Sequence, residues 1–244
     1  MLHLYFIRHG QSTNNAIIDE NDHDDYLITR EKDPDLTEKG EAQAQLAAKF
    51  LARPYRDNGF DPQNRNGFNL THLYCSLMIR AVKTGLAISH ETKLPLVAWP
   101  EIHETGGVFE VEMVDDEPVF IGKPGPGKSF FVDRFPELVI PEDLSEEGWW
   151  NREKEPREHY PIRARGIIDR LVEEHGGKNH RVGLVMHGGI FARILYELFS
   201  AQRDRNWWFL MNNCGISRVD ISDNGHVTLA YMNKVDHLPD NLIT

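Results

Sequence analysis

Two hydrophobic periods take turns along this 244-residue chain. Residues 2–8, LHLYFIR, are apolar and β-prone almost throughout, the pattern of a buried strand. The polar, aperiodic stretch from there to about residue 35 predicts loop. In DLTEKGEAQAQLAAKFLAR, Ala42, Leu46 and Phe50 recur every four residues, with Thr37 as N-cap, Glu38 in the first turn and Arg53-Pro54 as the stop; this predicts a helix. A second strand is predicted over 70–75, a helix over 80–90 and a short strand around 94–98. From 104 to about 160 the chain is irregular and rich in Gly, Pro, Trp and acidic residues. Then come a helix over 161–175, a strand over 181–186 and a strongly apolar helix over 190–200. The last two apolar runs, ISRVDIS and HVTLAYM, flank Asp223-Asn224-Gly225, a hairpin signal.

Strands alternating with helices imply a sheet covered on both faces. The predicted architecture is a three-layer α/β/α sandwich with a mixed, mainly parallel sheet. No repeat or linker divides it, so residues 1–244 read as one domain, with 105–160 as an inserted lid over a site.

Composition narrows the function classes. Net charge is −11 with histidine neutral, which disfavours non-specific binding to nucleic acid or anionic membranes. No apolar run is long enough to cross a bilayer, and the N-terminus does not read as a signal peptide. The only two cysteines, Cys75 and Cys214, lie far apart in sequence and indicate no disulfide framework, so a cytoplasmic protein is expected. Nothing in the patterning reads on oligomeric state.

One motif points elsewhere. Residues 122–129, GKPGPGKS, satisfy the nucleotide-binding pattern G-x-x-x-x-G-K-[ST]. That loop needs a buried strand before it and a long helix after it. Here the preceding EPVFI is short, and FFVDRF runs into Pro136. Pro126 also removes an N–H from the part of the loop that would cradle phosphate. The string therefore reads as a Gly/Pro-rich bend in the lid, with Ser129 as cap of a short helix. Lys123 and Lys128 are candidates to touch a second anionic group of a substrate.

Reactive groups gather at the carboxyl ends of the predicted strands, where sites form in such sheets. The first strand ends Arg8-His9-Gly10, the second runs into Ser76 and Arg80, and the strand over 181–186 ends His187-Gly188-Gly189. Guanidinium groups match phosphate oxygens, and a neutral imidazole can attack phosphorus. A second histidine can hold the transferring oxygens, and a carboxyl group can protonate the leaving oxygen. The set suggests phosphoryl transfer.

These residues also carry a resemblance. Arg8-His9-Gly10-Gln11-Ser12 followed by Asn15 resembles the signature of the histidine phosphatase superfamily, phosphoglycerate-mutase-like branch. Further matches follow in the family's order: Asp35-Leu36-Thr37-x-x-Gly40 with Gln43-Ala44, Ser76 through Arg80-Ala81-x-x-Thr84, Glu104, Val185-Met186-His187-Gly188-Gly189, and Asn213-Cys214-x-Ile216-Ser217. The resemblance implies a metal-independent phosphatase acting on a small-molecule phosphomonoester, without cofactor. His9 would form a phosphohistidine. Arg8, Asn15, Arg80 and His187 would bind the phosphoryl group, with Gln11 assisting. Glu104 would be the acid that later activates water. His9 would be neutral, while His187 could be cationic. Leu77, Met78 and Met186 depart from the family's usual residues. Thr105-Gly106-Gly107-Val108 stands where phosphoglycerate mutases usually continue Arg-His-Tyr-Gly, which favours a phosphatase over the mutase alternative.

A non-enzymatic phospholigand-binding module is a third class, disfavoured because every presumed reactive position is filled. His3, His72, His90, His159, His175, His180, His226 and His237 belong to no motif and read as structural, and no spacing such as H-x-x-x-H suggests a metal. Trp149-Trp150 and Trp207-Trp208 read as lid and core packing. The acidic run 19–25 lacks the glycine and glutamate of a calcium loop and reads as solvated surface.

Overall fold

The first strand shows why the chain layers as it does. In β1 (Leu2–Arg8) successive side chains point to opposite faces. Leu2, Leu4 and Phe6 enter one apolar core, and Tyr5 and Ile7 enter the other. The first core is closed by α5 (His159–His175) and α6 (Gly188–Leu198), through Ile167, Leu171, Phe191 and Ile194. The second is closed by α2 (Glu38–Leu51) and α3 (Ile79–Thr92), through Ala44, Ala48, Val82 and Ile88. Truncating a fully buried phenylalanine such as Phe6 in a core like this costs about 3–5 kcal/mol.

The computed structural model describes residues 1–20, 29–201 and 208–244. Most of the acidic run 19–25, and Trp207, lie outside the described residues. Seven strands form the central sheet in the order β6-β3-β2-β7-β1-β8-β9. The remaining strands of that sheet are β2 (His72–Cys75), β3 (Leu96–Ala98), β6 (Leu138–Val139), β7 (Arg181–Met186), β8 (Ile216–Ile221) and β9 (Val227–Lys234). Pairing is parallel from β6 to β1 and antiparallel through β8 and β9. This is the mixed, mainly parallel sheet that the alternation implied.

Two stretches differ from the expectation. The segment after β1 holds a helix, α1 (Thr13–Glu20), where a loop was expected. Few apolar residues mark it. Its start is fixed by side chains instead: Ser12 Oγ accepts from Asn15 N (3.3 Å), and Asn15 Oδ1 accepts from Ser12 N (3.2 Å). This is a reciprocal cap with asparagine in the reaching-back position.

The 104–160 region is also more regular than its composition suggests. β4 (Phe109–Val114) and β5 (Glu117–Gly122) form a separate antiparallel hairpin, followed by α4 (Lys128–Arg134). The hairpin turns on Asp115 and Asp116, both with positive φ (51° and 63°), a conformation for which glycine or asparagine is the usual signal. β6 then pairs with β3 as an edge of the central sheet. Ser129 does not cap α4. Gly127 occupies the cap position, and Ser129 N donates to Glu146 Oε2 (2.9 Å).

Candidate active site

The carboxyl ends of β1, β2 and β7 are neighbours in the sheet, and their following loops converge. Arg8 ends β1 and His9 follows it. The loop that carries His9 is clamped from three sides. Gly10 N donates to Thr84 Oγ1 (3.1 Å), whose own hydroxyl is bound to the Arg80 carbonyl (2.7 Å). Asn213 Nδ2 donates to the His9 carbonyl (3.0 Å). Gly10 and Gly40 press backbone to backbone, since a Cβ on Gly10 would lie 2.3 Å from the Gly40 carbonyl oxygen. The separated motifs therefore meet in space to fix one backbone segment.

His9 is buried, and its Nδ1 lies 2.6 Å from the Gly10 carbonyl oxygen. A carbonyl can only accept, so the proton sits on Nδ1 and the lone pair on Nε2. That nitrogen faces Arg80, whose Nε lies 3.2 Å away. Burial first, then the Arg80 and Arg8 guanidiniums, hold the His9 pKa well below its ordinary value, so the ring is neutral. His187 follows β7, fully buried, with its ring centroid 5.0 Å from that of His9. Its Nε2 lies 2.7 Å from Ser76 Oγ, and its Nδ1 has no partner among the described residues. Burial and then Arg80 depress its pKa as well. Both causes disfavour the cationic His187 that the resemblance allowed.

Two carboxyl groups cap the helices that start beside these histidines. Glu104 Oε2 accepts from Gly189 N (3.0 Å), and its Oε1 accepts from Ile190 N (3.0 Å) and Thr105 N (2.7 Å). It thus occupies the N-terminus of α6 and satisfies orphan N–H groups there. A Cβ on Gly189 would lie 2.2 Å from Oε1, so the approach requires glycine there. Asp33 does the same for α3: its Oδ1 accepts from Ile79 N (3.2 Å) and faces Arg80 Nη1 at 3.5 Å. Burial pushes the Asp33 carboxyl up to about 6 despite Arg80. Its Oδ2 has no partner among the described residues.

Arg8, His9, Asn15, Arg80 and Glu104 line one cavity of about 190 Å³. His187 stands behind it, out of contact with solvent. Arg8 Nη1 donates to the Met211 carbonyl (2.6 Å), which aims its guanidinium. Asn15 Oδ1 also accepts from Asn213 Nδ2 (3.2 Å), tying the closing motif to the first. The Gln11 side-chain oxygen accepts from Thr37 Oγ1 (2.8 Å) and so supports the start of α2. His103 is buried edge-on against Trp150 with Nδ1 on the Glu104 carbonyl (2.7 Å), and it does not line the cavity.

Arg30 and Lys32 line this cavity and also a larger one of about 720 Å³, which Pro124, Gly125 and Pro126 border. The GKPGPGKS string is thus a wall of the approach. Its strand β5 belongs to the separate hairpin, and its helix is seven residues long. Lys123 pairs with Glu110 (3.0 Å), and Lys128 donates to the Glu142 carbonyl (2.9 Å). The sequence reading missed Asp33, Arg30 and Lys32. Asp33 had a signal, two residues before the Asp35-Leu36-Thr37 motif; the two cations had none.

Comparison with known proteins bears on this geometry. The model of the histidine phosphatase superfamily (branch 1) matches residues 4–117 and 132–234. No curated protein matches the chain in sequence. Solved structures share the fold at low identity. One is a phosphoserine phosphatase from Entamoeba histolytica in complex with 3-phosphoglyceric acid, 18% identical with a TM-score of 0.59. The match covers 98% of this chain and 100% of that one. Another is a mycobacterial glucosyl-3-phosphoglycerate phosphatase bound to VO3, 19% identical with a TM-score of 0.57, covering 96% and 99%.

Proposed function

This chain belongs to the histidine phosphatase superfamily (branch 1) and is a phosphoric monoester hydrolase, and we propose that it hydrolyses a small-molecule phosphomonoester through a phosphohistidine on His9. The observation that carries this reading is the tautomer of His9. Nδ1–H is committed to Gly10, so the lone pair for attack is on Nε2, which accepts from Arg80 Nε until a phosphoryl group takes that guanidinium.

In the first step Nε2 bonds to phosphorus and the ester P–O bond breaks. Arg8, Arg80 and Asn15 hold the phosphoryl oxygens, His187 backs the His9 ring from behind the cavity, and the guanidiniums balance charge as it develops. Glu104 gives a proton to the leaving oxygen. In the second step Glu104 takes a proton from water, the water oxygen bonds to phosphorus, the N–P bond breaks, and phosphate leaves. The side chains supply the positive charge, so the reading needs no metal or cofactor.

The approach supports a substrate of metabolite size. A cavity of about 190 Å³ takes a phosphoryl group and little more, and the adjoining space of about 720 Å³ takes the remainder. Arg30 and Lys32 between them favour a substrate with a second anionic group. Residues 105–160 act as the lid in this reading. We place the enzyme in the cytoplasm because both thiols, Cys75 and Cys214, are unpaired and buried. Among the described residues no helix is long and apolar enough to cross a membrane.

Phosphate release from a panel of phosphorylated metabolites, with rapid-quench labelling, tests the reading. The expected result is an acid-labile, base-stable phosphoenzyme, lost in His9→Ala together with ~10⁴-fold or more of the rate. An acid-stable label, or a His9→Ala protein of full rate, would overturn it. Interconversion of 2- and 3-phosphoglycerate in excess of phosphate release would establish a mutase instead.

A further inference from the structure

At the opposite end of the same strands three of the histidines without a motif meet. His72 opens β2, His175 ends α5, and His180 directly precedes β7. Parallel pairing of His72 with Val182 brings β2 and β7 together, and the four-residue turn after α5 returns His180 to the end of its helix. One ring nitrogen from each lies within 4.8 Å of the others. His175 Nδ1 and His180 Nδ1 are 2.9 Å apart, and the His72 ring lies 4.6 Å and 4.3 Å, centroid to centroid, from those of His175 and His180.

The geometry points to a binding site for a divalent transition-metal ion on His72, His175 and His180. Two nitrogens that share an ion at 2.0–2.1 Å lie about 3.0–3.4 Å apart, so the His175–His180 pair needs a shift of a few tenths of an ångström. Outer partners are in place. Tyr74 Oη lies 3.1 Å from His175 Nε2, and Thr71 Oγ1 lies 2.9 Å from His72 Nδ1. Those contacts leave His175 Nδ1 and His72 Nε2 as the ligating atoms and fix both rings, as outer hydrogen bonds do at known histidine sites.

The surroundings suit a cation. The cluster sits at the C-terminus of α5, the negative end of its dipole. Glu174 Oε2 is 3.8 Å from His175 Nε2, while its Oε1 is bound to Arg170. Lys178 donates to the Glu174 carbonyl (2.7 Å), and its charge is the smallest of the influences on His72 and His175. His175 is buried, but His72 and His180 are half-buried, so an ion can enter from solvent and keep water at its remaining positions. Three imidazoles without a thiolate or a ligating carboxylate select zinc, nickel, cobalt or copper over magnesium or calcium. His72 stands four residues before Ser76 along β2, roughly 13 Å from the catalytic end. The ion therefore tethers α5 to β2 and β7 and takes no part in phosphoryl transfer.

The full-length protein, stripped with a chelator and dialysed, is titrated with Zn²⁺ against a chromophoric competitor, and with Co²⁺ by visible absorption. The expected results are one tight zinc per chain, a raised Tm, and a Co²⁺ spectrum of nitrogen coordination. His72→Ala and His180→Ala should each weaken zinc by at least ~10-fold and leave aryl phosphate hydrolysis unchanged. Zinc affinity unchanged in both variants would overturn the site. So would native protein with no Co²⁺ spectrum and no stoichiometric zinc, a measurement that does not depend on how either variant folds.

Discussion

The sheet carries a histidine cluster at each end, and the two ends sit in opposite fields. At the carboxyl end, His9 and His187 lie beside Arg8 and Arg80 and near the N-termini of α3 and α6. At the amino end, His72, His175 and His180 lie at the C-terminus of α5, beside Glu174. Parallel β/α connections impose this polarity, because each helix that follows a strand starts at that strand's carboxyl end. One imidazole at each end has a depressed pKa, but for different reasons. Burial and then arginines depress His9, whereas burial and then its neighbours His72 and His180 depress His175, to about 4. In the proposed reaction the imidazole among cations attacks an anion, and in the proposed metal site the imidazoles near a carboxylate hold a cation. The residue type does not determine the ligand; the surrounding charges do.

The largest test removes the field at one end only. Arg80→Ala deletes the guanidinium that faces both His9 and Asp33. It should lower kcat/KM by ~10³-fold or more, the scale of an arginine that stabilises phosphoryl transfer. Vanadate inhibition should weaken with it, while zinc affinity at the far end stays as in the native protein. Equal losses at both ends would mean global unfolding and not a local field.

A smaller effect separates the two jobs of Glu104, which caps α6 and lines the cavity. Glu104→Gln keeps an acceptor for the helix N–H groups but cannot lose and regain a proton. Hydrolysis of alkyl phosphates, which need a protonated leaving oxygen, should fall by ~10²-fold or more. Hydrolysis of a nitrophenyl phosphate, whose leaving group needs no acid, should fall much less in its first step. Equal losses in the first step on both substrates would reduce Glu104 to a positioning residue for α6.

How legible each end was follows from the same geometry. Arg8, His9, Arg80, Glu104 and His187 stand in short motifs close to strand or helix boundaries, so their convergence could be read once the alternation of strands and helices implied a parallel sheet. Helix α1 and the 109–122 hairpin escaped because side-chain caps and an Asp-Asp turn define them, not hydrophobic period. Asp33 escaped because its partner Arg80 lies 47 positions away. The far histidines escaped for a related reason. His72 is more than a hundred residues from the other two, and only the β2–β7 register brings them together.

Asp33 gives the smallest and most discriminating prediction, because stability and rate should move in opposite directions. Its folded pKa, about 6, is above the ordinary 3.8, so the folded chain holds a proton that the unfolded chain has released. Between those values the folded state binds more protons, and stability falls as pH rises through the window. Its contribution is complete below about pH 4 and gone above about pH 6, where an ionised carboxylate remains buried. Asp33→Asn removes that buried charge and keeps an oxygen for Ile79 N–H. At pH 8 the variant should gain ~1 kcal/mol, seen as a Tm rise of about 2–4 °C. At pH 4, where native Asp33 is mostly protonated, the gain should shrink or vanish. Arg80 loses its ion pair at the same time, and its aim with it, so kcat at pH 8 should drop by ~10-fold or less while far-end zinc affinity holds. A variant less stable than the native protein at pH 8 would show that the 3.5 Å attraction to Arg80 outweighs the burial of Asp33. The carboxyl cap on α3 would then be a stabilising element of the fold, and not a cost that the catalytic end carries to hold Arg80 against His9.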